Sequence, residues 1–313
     1  MNGLYAVHPR WVIDTLFACT AQTLLEFAAN PRWMGVSGGV PAFSLVLHTW
    51  TQDLRQHVHL HAVMACGVLG QDDDSGSGGD GAGSRWHTPV RKPDFLFPGQ
   101  ALSSVFRGKY MAALKAAHVA GQLPRDRQGD QAGWCQRQRQ LYRHDWVVYA
   151  KTPLGGPAQV LEYLSRYTHR TAIGNERIRK VSANEVVFTV RADDHGGKRR
   201  LRLGGAEFVR RFLLHVLPTG IKRIRHYGVL ASACKAHKLA AARQALQMPC
   251  ANRQATGSAR AFMARVAATD VAVCPCCKRG RLRVVATLAG LQRLPMPGAE
   301  PVATTKPSSR GPP

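Results

Sequence analysis

The sequence predicts an α+β protein, because helix-like and strand-like patterns are mixed along the chain. Residues 10–29 have apolar side chains at helical spacing, whereas 43–50 (FSLVLHTW) and 57–66 (HVHLHAVMAC) are short apolar runs of strand length. The chain has 313 residues, of which 45% are hydrophobic, and this is enough for one large domain or two smaller ones. Global disorder and fibrous architectures are therefore excluded.

Each element of the N-terminal half has a local signal. The periodic series from Trp11 to Phe27 ends at Asn30-Pro31, Gly38-Gly39 is a turn, and an acidic run rich in Gly and Ser follows the second strand. We therefore expect a helix over 10–29, strands over 43–50 and 57–66, a mobile acidic loop over 70–84, an apolar segment at 95–97, a helix over 101–117, a polar and basic stretch over 122–144, and a third strand over 146–150.

The C-terminal half begins with the turn residues Gly155-Gly156-Pro157, which predict the start of a helix. Turn residues at 182–184 and 195–197 divide a basic stretch into strand-length pieces. The sequence predicts a helix over 158–169, a basic β-meander over 177–203, a helix over 206–216, alanine-rich helices over 234–247 and 258–268, and a disordered tail over 294–313.

The charge balance indicates a polyanionic partner. The chain has 43 Lys and Arg against 19 Asp and Glu, a net charge of +24 with His neutral. Nucleic acid is the first candidate partner and an anionic membrane surface the second. Insertion into a membrane is not expected, because the most apolar stretch, Trp11 to Ala29, is interrupted by Asp14 and Glu26. With no secretory signal pattern, and with cysteines spaced irregularly, the sequence predicts a cytoplasmic protein.

Three histidines alternate with apolar residues in the second predicted strand. Side chains alternate between the faces of a strand, so His57, His59 and His61 share one face and Val58 and Leu60 lie on the other. Two imidazoles two residues apart on a strand converge on one ion, which predicts a metal site. A solvent-facing strand that is merely rich in histidine is the alternative.

Two tyrosines lie about one helical turn apart in the helix predicted over 158–169. Tyr163 and Tyr167 therefore share a helix face, and Arg166 and Arg170 flank them. Such a pair is more often half-buried packing than catalysis. Nearby cations, however, stabilise phenolate and attract phosphate.

The histidines and the tyrosines together favour one kind of chemistry. A tyrosine oxygen forms covalent intermediates, and a metal ion with open coordination positions polarises and orients a phosphodiester. This pairing is what a DNA-nicking transesterase requires. The chain contains no GxxxxGK[ST] motif, consistent with a reaction that needs no ATP.

Five segments carry a resemblance to a known family, and they occur in the family's order. They are LHTWTQDLRQHVHLHAV at 47–63, KPDFLFPGQALSSVFRGKY at 92–110, VVYAKTPLGGPAQVLEYLSRYTHRTAI at 147–173, EFVRRFLLHVLPTGIKRIRHYGVL at 207–230 and CPCC at 274–277. The sequence resembles the two-tyrosine HUH transposases of the insertion-sequence 91 group, relatives of rolling-circle replication initiators. HUH means His-hydrophobe-His.

The resemblance implies a rolling-circle-initiator-like fold whose central antiparallel sheet carries the histidines beside the tyrosine helix. It places the metal-binding histidines at His59 and His61 and the nucleophiles at Tyr163 and Tyr167, so that His57 is an additional histidine. The implied function is a DNA transposase of the bacterial cytoplasm, associated with the nucleoid. Such an enzyme cleaves single-stranded element ends through a 5′-phosphotyrosine, with Mg²⁺ or Mn²⁺ as the ion.

The same resemblance suggests a division of the chain. Members of this family usually carry a cysteine-rich segment ahead of the first helix, so we expect this chain to be an N-terminally shortened member. The expected parts are a catalytic core at 1–175, a basic DNA-binding region at 176–270, a degenerate zinc ribbon at 271–293 and the disordered tail at 294–313.

A third metal ligand is expected from a polar side chain. Gln159 is preferred because it lies one turn before Tyr163 on the same helix face, and His48 and Glu162 are alternatives. An exposed residue at a helix start is an equally good interpretation of Gln159.

Two cysteines near the C-terminus predict a second metal site, of the structural kind. Cys274 and Cys277 form a C-x-x-C half-site for Zn²⁺, but a closed site needs four ligands and only Cys250 and His237 lie upstream within plausible reach. A truncated ribbon without zinc is the alternative.

The stretch 198–226 contains nine Lys and Arg but one acid, which favours binding to a phosphate backbone over a merely solvated surface. Aromatic residues at 146, 149 and 227 are candidates for stacking on bases, with burial in the core as the alternative. The candidate DNA-binding cations of this stretch are Arg210, Arg211, Lys222, Arg223 and Arg225.

Two other functions fit the residues. One is an inactive DNA-binding remnant of such a transposase. The other is a zinc-dependent hydrolase that uses the histidines on a water nucleophile, for which the nearest carboxylate base is Asp53. The sequence leaves the oligomeric state open.

Overall fold

The structure is a computed structural model. It describes residues 2–71, 84–90, 96–123, 131–144, 146–168, 172–192, 197–249, 270, 272–274, 276–283 and 285. The chain divides into two units, Met1–Cys250 and Ala251–Pro313. Its helices and strands are α1 (Asn2–Val7), α2 (Pro9–Ala29), α3 (Pro31–Met34), β1 (Val40–Trp50), β2 (Gln56–Gln71), β3 (Ser84–His87), α4 (Gly99–Val119), α5 (Gln131–Arg143), α6 (Pro157–Thr168), β4 (Ile178–Val181), β5 (Glu185–Arg191), β6 (Lys198–Gly204), α7 (Gly205–Leu213), β7 (Ile224–Gly228) and α8 (Lys235–Ala245).

The two apolar runs predicted as strands lie side by side in a four-stranded sheet with the order β3-β2-β1-β7. All three pairings are antiparallel. Phe43, Leu45 and Leu47 of β1 belong to the main hydrophobic core, together with Ile13 and Phe17 of α2. The α+β prediction is therefore confirmed. Because β7 lies beside β1, the central sheet draws on residues from both sides of the boundary predicted at 175.

Helix α2 extends over the range that the sequence periodicity predicts. Pro9 occupies the first turn, where its missing N–H costs nothing and its fixed φ suits a helix. By length and composition this helix could cross a membrane, but more than half of its most apolar window is buried inside the fold. Core helices of non-membrane proteins pass the same test, so this helix gives no argument for a membrane.

The predicted basic β-meander forms a second sheet with the order β4-β5-β6, and both of its pairings are antiparallel. Its core contains Val186, Phe188 and Val190 of β5, against which Phe208 and Phe212 of α7 pack. Along β5, Val186, Phe188 and Val190 project into this core, whereas Val187, Thr189 and Arg191 project from the opposite face, where Val187 is also buried.

The turn between β1 and β2 connects the two sheets. Leu54 in this turn has no exposed surface and belongs to the core of the second sheet. Its φ of +63° is unusual for a residue with a side chain. The imidazole of His215 donates from Nε2 to the Leu54 carbonyl at 3.2 Å, and Arg211 donates to the Asp53 carbonyl at 3.1 Å. The end of the histidine-bearing hairpin is thus fixed by the second sheet.

One element prediction is wrong: residues 146–150 are not a strand. The segment has the alternation of a strand, since Trp146 and Val148 pack against the main core while Val147 is 94% exposed. A strand also needs a backbone partner, and here the Trp146 carbonyl accepts from the Ser103 hydroxyl of α4 at 2.5 Å. Packing on a helix therefore produces the same sequence pattern as pairing in a sheet.

Other differences concern element bounds. Four elements have no counterpart among the sequence predictions, namely α1, α3, β3 and α5, and the predicted second strand ends at residue 66, whereas β2 continues to Gln71. Residues 70, 71 and 84 of the predicted acidic loop therefore belong to strands, and 72–83 lie outside the described residues. The predicted helix over 258–268 and the tail over 294–313 also lie outside them.

Candidate functional site

The candidate site lies on the centre of the four-stranded sheet. In the antiparallel register His48 is directly opposite His59, and Val46 is opposite His61. Opposite residues project from the same face, so the two strands bring three imidazoles together. The His48 side chain is buried, and those of His59 and His61 are half-buried.

The three imidazoles have the spacing of a ligand set. One nitrogen from each of His48, His59 and His61 lies within 4.8 Å of the others, and among the described residues this is the group of three or more such side chains that could hold a metal ion. His59 Nε2 and His61 Nε2 are 3.1 Å apart. His57 is exposed, and its ring centroid is 4.8 Å from that of His59.

A hydrogen bond fixes which nitrogen of His59 carries the proton. Nδ1 of His59 lies 2.9 Å from the carbonyl oxygen of His57. A carbonyl only accepts, so Nδ1 is the donor and Nε2 of neutral His59 carries the lone pair. The 3.1 Å contact between the two Nε2 atoms is then a hydrogen bond in which His61 Nε2–H donates to this lone pair, and a bound ion would replace that proton.

The environment also keeps these imidazoles neutral. Burial lowers the pKa of His61 to about 4, with further contributions from the charges of His59 and Lys151. Burial likewise lowers the pKa of His59, against the hydrogen bond to His57. Neutral imidazole is the form that binds metals, so both side chains are in the ligand form near pH 7.

Helix α6 places a tyrosine beside the histidines. The hydroxyl oxygen of Tyr163 is 3.2 Å from Nδ1 of His61, and the phenol is half-buried. Tyr167 lies one turn later on the same helix, but its side chain and that of Arg166 are outside the described residues, as is the whole of Arg170. The predicted neighbourhood of a tyrosine and the histidine strand is therefore present for Tyr163.

The preferred third ligand has another contact. Gln159 is exposed, and its Oε1 accepts from the backbone N–H of Gly155 at 2.8 Å, which caps the first turn of α6. Glu162 is also exposed. Of the three residues considered from the sequence, His48 is the one that lies with His59 and His61. Its position could be inferred from sequence only by assuming the hairpin register, because eleven residues separate it from His59.

Asp53, the carboxylate considered as a base for a hydrolase, is engaged elsewhere. Burial alone would raise its pKa, but the hydrogen bond from the Thr51 hydroxyl and the charge of Arg55 outweigh this and lower it. The Arg55 guanidinium is 2.7 Å from the carboxylate. An ion-paired carboxylate of low pKa is a weak general base near neutral pH.

A cavity of about 1700 Å³ opens beside the histidines and Tyr163. Its described lining contains no carboxylate, whereas Lys115 and Lys151 contribute positive charge. Tyr149, which also lines it, is 80% exposed, and the Lys151 ammonium lies 5.9 Å from the centroid of its ring. Lys151 was not among the residues predicted for the site, because a single lysine in an irregular segment has no pattern that distinguishes it.

The other two aromatic residues considered for base stacking pack inside the fold. Trp146 contacts the ring of Phe106 and donates from its indole nitrogen to the Leu141 carbonyl at 3.0 Å. Tyr227 stacks on Phe43 with ring centroids 5.1 Å apart. Only Tyr149 of the three has a mostly open ring.

Four of the arginines predicted to bind DNA make contacts within the fold. Arg210 and Arg211 both pair with Glu207, at 2.6 and 2.7 Å, and hydrogen bonds from them lower the pKa of that carboxyl to about 2. Arg225 pairs with Asp14 at 2.5 Å. Arg223 donates to the Leu47 carbonyl and lies over the Trp50 ring. Lys222 is exposed.

In the second unit, Cys274 and Cys277 lie together in a tight turn. The backbone N–H of Gly280 donates to the Cys277 sulfur at 3.3 Å, and that of Cys274 donates to the Gly280 carbonyl at 2.8 Å. Backbone hydrogen bonds from Gly280 and Arg279, followed by one from the Cys274 side chain, lower the pKa of Cys277. No third ligand joins them among the described residues, and Cys250 lies outside those residues.

Comparison with known proteins identifies the family of the chain. A family model described as "Putative transposase" (Y2_Tnp) matches residues 42–238, which include both histidine strands and α6. The chain belongs to this transposase family. A curated relative, "Putative transposase y4qJ" of Sinorhizobium fredii (strain NBRC 101917 / NGR234), is 35% identical over 288 residues, which cover 90% of this chain and 69% of the relative. No solved structure matches the chain significantly.

Membership in this family supports a DNA transposase, that is, a DNA-processing enzyme with DNA as its partner. The matched range begins within β1 and ends within α8. It therefore covers the central sheet, the tyrosine helix and the second sheet.

Proposed function

We propose that this transposase cleaves and rejoins single-stranded DNA through a phosphotyrosine intermediate in rolling-circle transposition, on an HUH-type fold. The observation that carries the proposal is the contact between the Tyr163 hydroxyl and Nδ1 of His61, 3.2 Å apart, at a cluster of three imidazoles. A nucleophile and a metal-ligand set in direct contact are what this chemistry needs.

The donor set fits a divalent metal ion. His59, His61 and His48 would hold it, since one nitrogen of each lies within 4.8 Å of the others and Nε2 of His59 carries a lone pair. When bound, the ion supplies a Lewis acid that polarises a phosphodiester oxygen. Mg²⁺ or Mn²⁺ suits the hard phosphate oxygens, although imidazoles also accept Zn²⁺. Gln159 stays a candidate for a further ligand only if its contact with Gly155 breaks.

The proposed role of Tyr163 is nucleophilic attack on phosphorus. A bond forms between the tyrosine oxygen and the phosphorus, and the bond to the 3′ oxygen breaks, which leaves a 5′-phosphotyrosine and a free 3′-hydroxyl. His61 positions the phenol through the hydrogen bond at Nδ1. Tyr167, one turn along α6, is the proposed nucleophile for a second cleavage at the other end of the element.

The large cavity is the proposed path of the single strand. Its described lining has lysines and no carboxylates, which favours a phosphate backbone, and the open ring of Tyr149 is suited to stacking on a base. Lys151 lies close enough to His61 to influence its pKa, so we assign to it a contact with the phosphate near the scissile bond. Such a protein would act on the nucleoid in the bacterial cytoplasm.

The test is formation of a covalent adduct. The protein is incubated with single-stranded oligonucleotides and Mn²⁺, and the products are separated by denaturing electrophoresis. We expect an adduct with the native chain, its loss by more than about 100-fold in Tyr163→Phe, and its complete loss in the variant with both Tyr163→Phe and Tyr167→Phe.

The matched control is Tyr142→Phe, because Tyr142 is an exposed tyrosine of α5 that does not line the cavity. It should leave the adduct unchanged, and all variants should still bind DNA. An adduct that persists in the double variant would exclude the mechanism. DNA binding by the native chain without any adduct would indicate the inactive remnant instead.

A further inference from the structure

The outer face of the second sheet carries a cluster of cations. In the register of β5 and β6, Arg191 is opposite Lys198, Thr189 is opposite Arg200 and Val187 is opposite Arg202. Opposite residues project from the same face, so these cations share one surface. The other face carries Val186, Phe188 and Val190 into the core. We call the cluster of Arg191, Lys198, Arg200 and Arg202 the cationic face.

Within the part of the chain that the structure describes, no acidic side chain pairs with the cationic face. All four side chains are exposed, and none has a carboxylate partner among the described residues. At its edge Arg179 donates to the Thr189 hydroxyl at 3.0 Å, and Lys180 pairs with Glu185 at 3.5 Å. The hairpin between β5 and β6 contains two aspartates, at 193 and 194, which lie outside the described residues.

The arginines of α7 and β7 differ from the cationic face in their partners. Arg210, Arg211 and Arg225 each satisfy an acid within the fold, which is a structural use of the charge. Like charges on neighbouring strands repel and lower the stability of the sheet. Four exposed cations on one small surface, with no acidic partner in the described ranges, therefore suggest a polyanion that neutralises them from outside.

The geometry of the face favours a regular phosphate backbone. Lys198, Arg200 and Arg202 are two residues apart along β6, which corresponds to about 6.6–6.8 Å between successive side chains on the same face. This is close to the interval between successive phosphates along a DNA strand. No aromatic side chain lies on this face among the described residues, whereas proteins that hold single strands use aromatic residues to stack the bases.

We propose that the cationic face binds the phosphate backbone of duplex DNA, and so holds double-stranded DNA at a surface separate from the histidine and tyrosine site. The binding does not depend on sequence, because side chains that contact only phosphates carry no base readout. Of the conclusions on function, this proposal depends only on membership in the transposase family. It does not depend on cleavage of DNA by Tyr163.

The test is the salt dependence of binding to a duplex of about 30 base pairs, measured in EDTA so that no metal-dependent cleavage occurs. The variant carries Arg191→Ala, Arg200→Ala and Arg202→Ala. Loss of three phosphate contacts should reduce the slope of log K against log salt by about 2.7 and weaken binding by about 10-fold or more near 0.1 M salt. Affinity for a single-stranded oligo-dT of the same length should fall less, because each phosphate contact releases fewer counterions from a single strand than from a duplex.

Two further variants make the result specific. Arg32→Ala, Arg139→Ala and Arg143→Ala together remove the same charge from exposed positions on α3 and α5, outside the basic region at 176–270, and should leave the slope nearly unchanged. Replacing the three arginines of the face by lysine keeps the charge and should keep the slope. Circular dichroism checks that each variant is folded.

Three results would overturn the proposal. One is a duplex affinity and slope that the alanine variant leaves unchanged. Another is an equal or larger loss on the single strand, since this would remove the assignment to a duplex. The third is a lysine variant as defective as the alanine variant, because phosphate contacts need charge more than guanidinium geometry.

Discussion

The four-stranded and the three-stranded sheet use their polar side chains in opposite ways. The larger sheet gathers His48, His59 and His61 in a partly buried cluster, where burial keeps the imidazoles of His59 and His61 neutral. The smaller sheet spreads cations such as Arg200 and Arg202 over an exposed face. Desolvation is what tunes a group for chemistry, whereas a charge that binds a polyanion has to stay open to solvent.

The difference also shows why a count of basic residues is a poor guide to a binding surface. In the stretch 198–226 the arginines on α7 and β7 pair with Glu207 and Asp14 in the fold, whereas those on β6 have no acidic partner among the described residues. The two classes are identical in sequence terms. Their partners come from elements far away along the chain, so only the fold separates them.

The largest expected effect concerns the histidine cluster. The variant with His59→Ala and His61→Ala should lose metal-dependent cleavage by more than about 100-fold, because two of the three clustered nitrogens are removed. Binding of Mn²⁺ should be lost in parallel, as measured by calorimetry, while duplex binding by the smaller sheet should stay. The control is His57→Ala, which removes an exposed histidine of the same strand. Undiminished cleavage in the variant with His59→Ala and His61→Ala would show that the ion is held elsewhere.

A smaller effect, on the free energy of unfolding, is expected when an arginine that pairs with an acid and an arginine of the cationic face are each replaced by alanine. Arg225→Ala should lower the free energy of unfolding by about 1–3 kcal/mol, because Asp14 loses its partner and Phe17 loses the guanidinium packed over it at 4.1 Å. Arg200→Ala should change the free energy of unfolding by less than about 0.5 kcal/mol, as for an exposed side chain that pairs with none of the described residues.

Denaturant titration measures both changes. A large destabilisation by Arg200→Ala would mean that the outer face of the small sheet has a structural role that the described contacts omit. An unchanged stability in Arg225→Ala would place that arginine back among the cations available to DNA.

The smallest expected effect is a pH dependence of folding stability caused by His215, which lies between the two sheets. Burial lowers the pKa of His215, against the hydrogen bond to Leu54. Since its folded pKa lies below the unfolded value near 6.5, the unfolded chain binds a proton first as the pH falls. The contribution of His215 to stability is therefore complete above about pH 6.5 and decreases as the pH falls through the folded pKa.

Denaturant titrations between pH 5 and 8 should show this as a shallower pH dependence in His215→Gln than in the native chain. The amide of glutamine can still donate to Leu54 and accept from Thr49, whose hydroxyl is 3.3 Å from Nδ1 of His215. The same substitution at the exposed His237 serves as the control. Identical slopes for the native chain and His215→Gln would exclude a buried neutral His215.

Local patterns predicted most of the elements and the centre of the site. The periodicity of α2, the alternation of β1 and β2 and the Gly-Gly-Pro start of α6 all correspond to elements of the fold. His59, His61 and Tyr163 were identified from spacing and from the resemblance, and the fold brings them into contact. Such features depend on neighbours within about ten residues, which a sequence displays directly.

Other features depend on contacts between distant segments. The alternation at 146–150 indicated a strand, but those residues pack on α4. The place of His48 in the cluster depends on the register of the β1–β2 hairpin, and that of Lys151 on how an irregular segment crosses the site.

The sequence by itself determined that the protein is α+β, strongly basic, and equipped with a histidine strand and a tyrosine helix, because periodicity and charge are properties of consecutive residues. The tertiary structure decided which imidazole completes the cluster and which arginines pair with an acid inside the fold. Both outcomes depend on pairings such as His48 with His59 and Arg225 with Asp14. They are set by strand register and packing, which bring together residues that the sequence keeps apart.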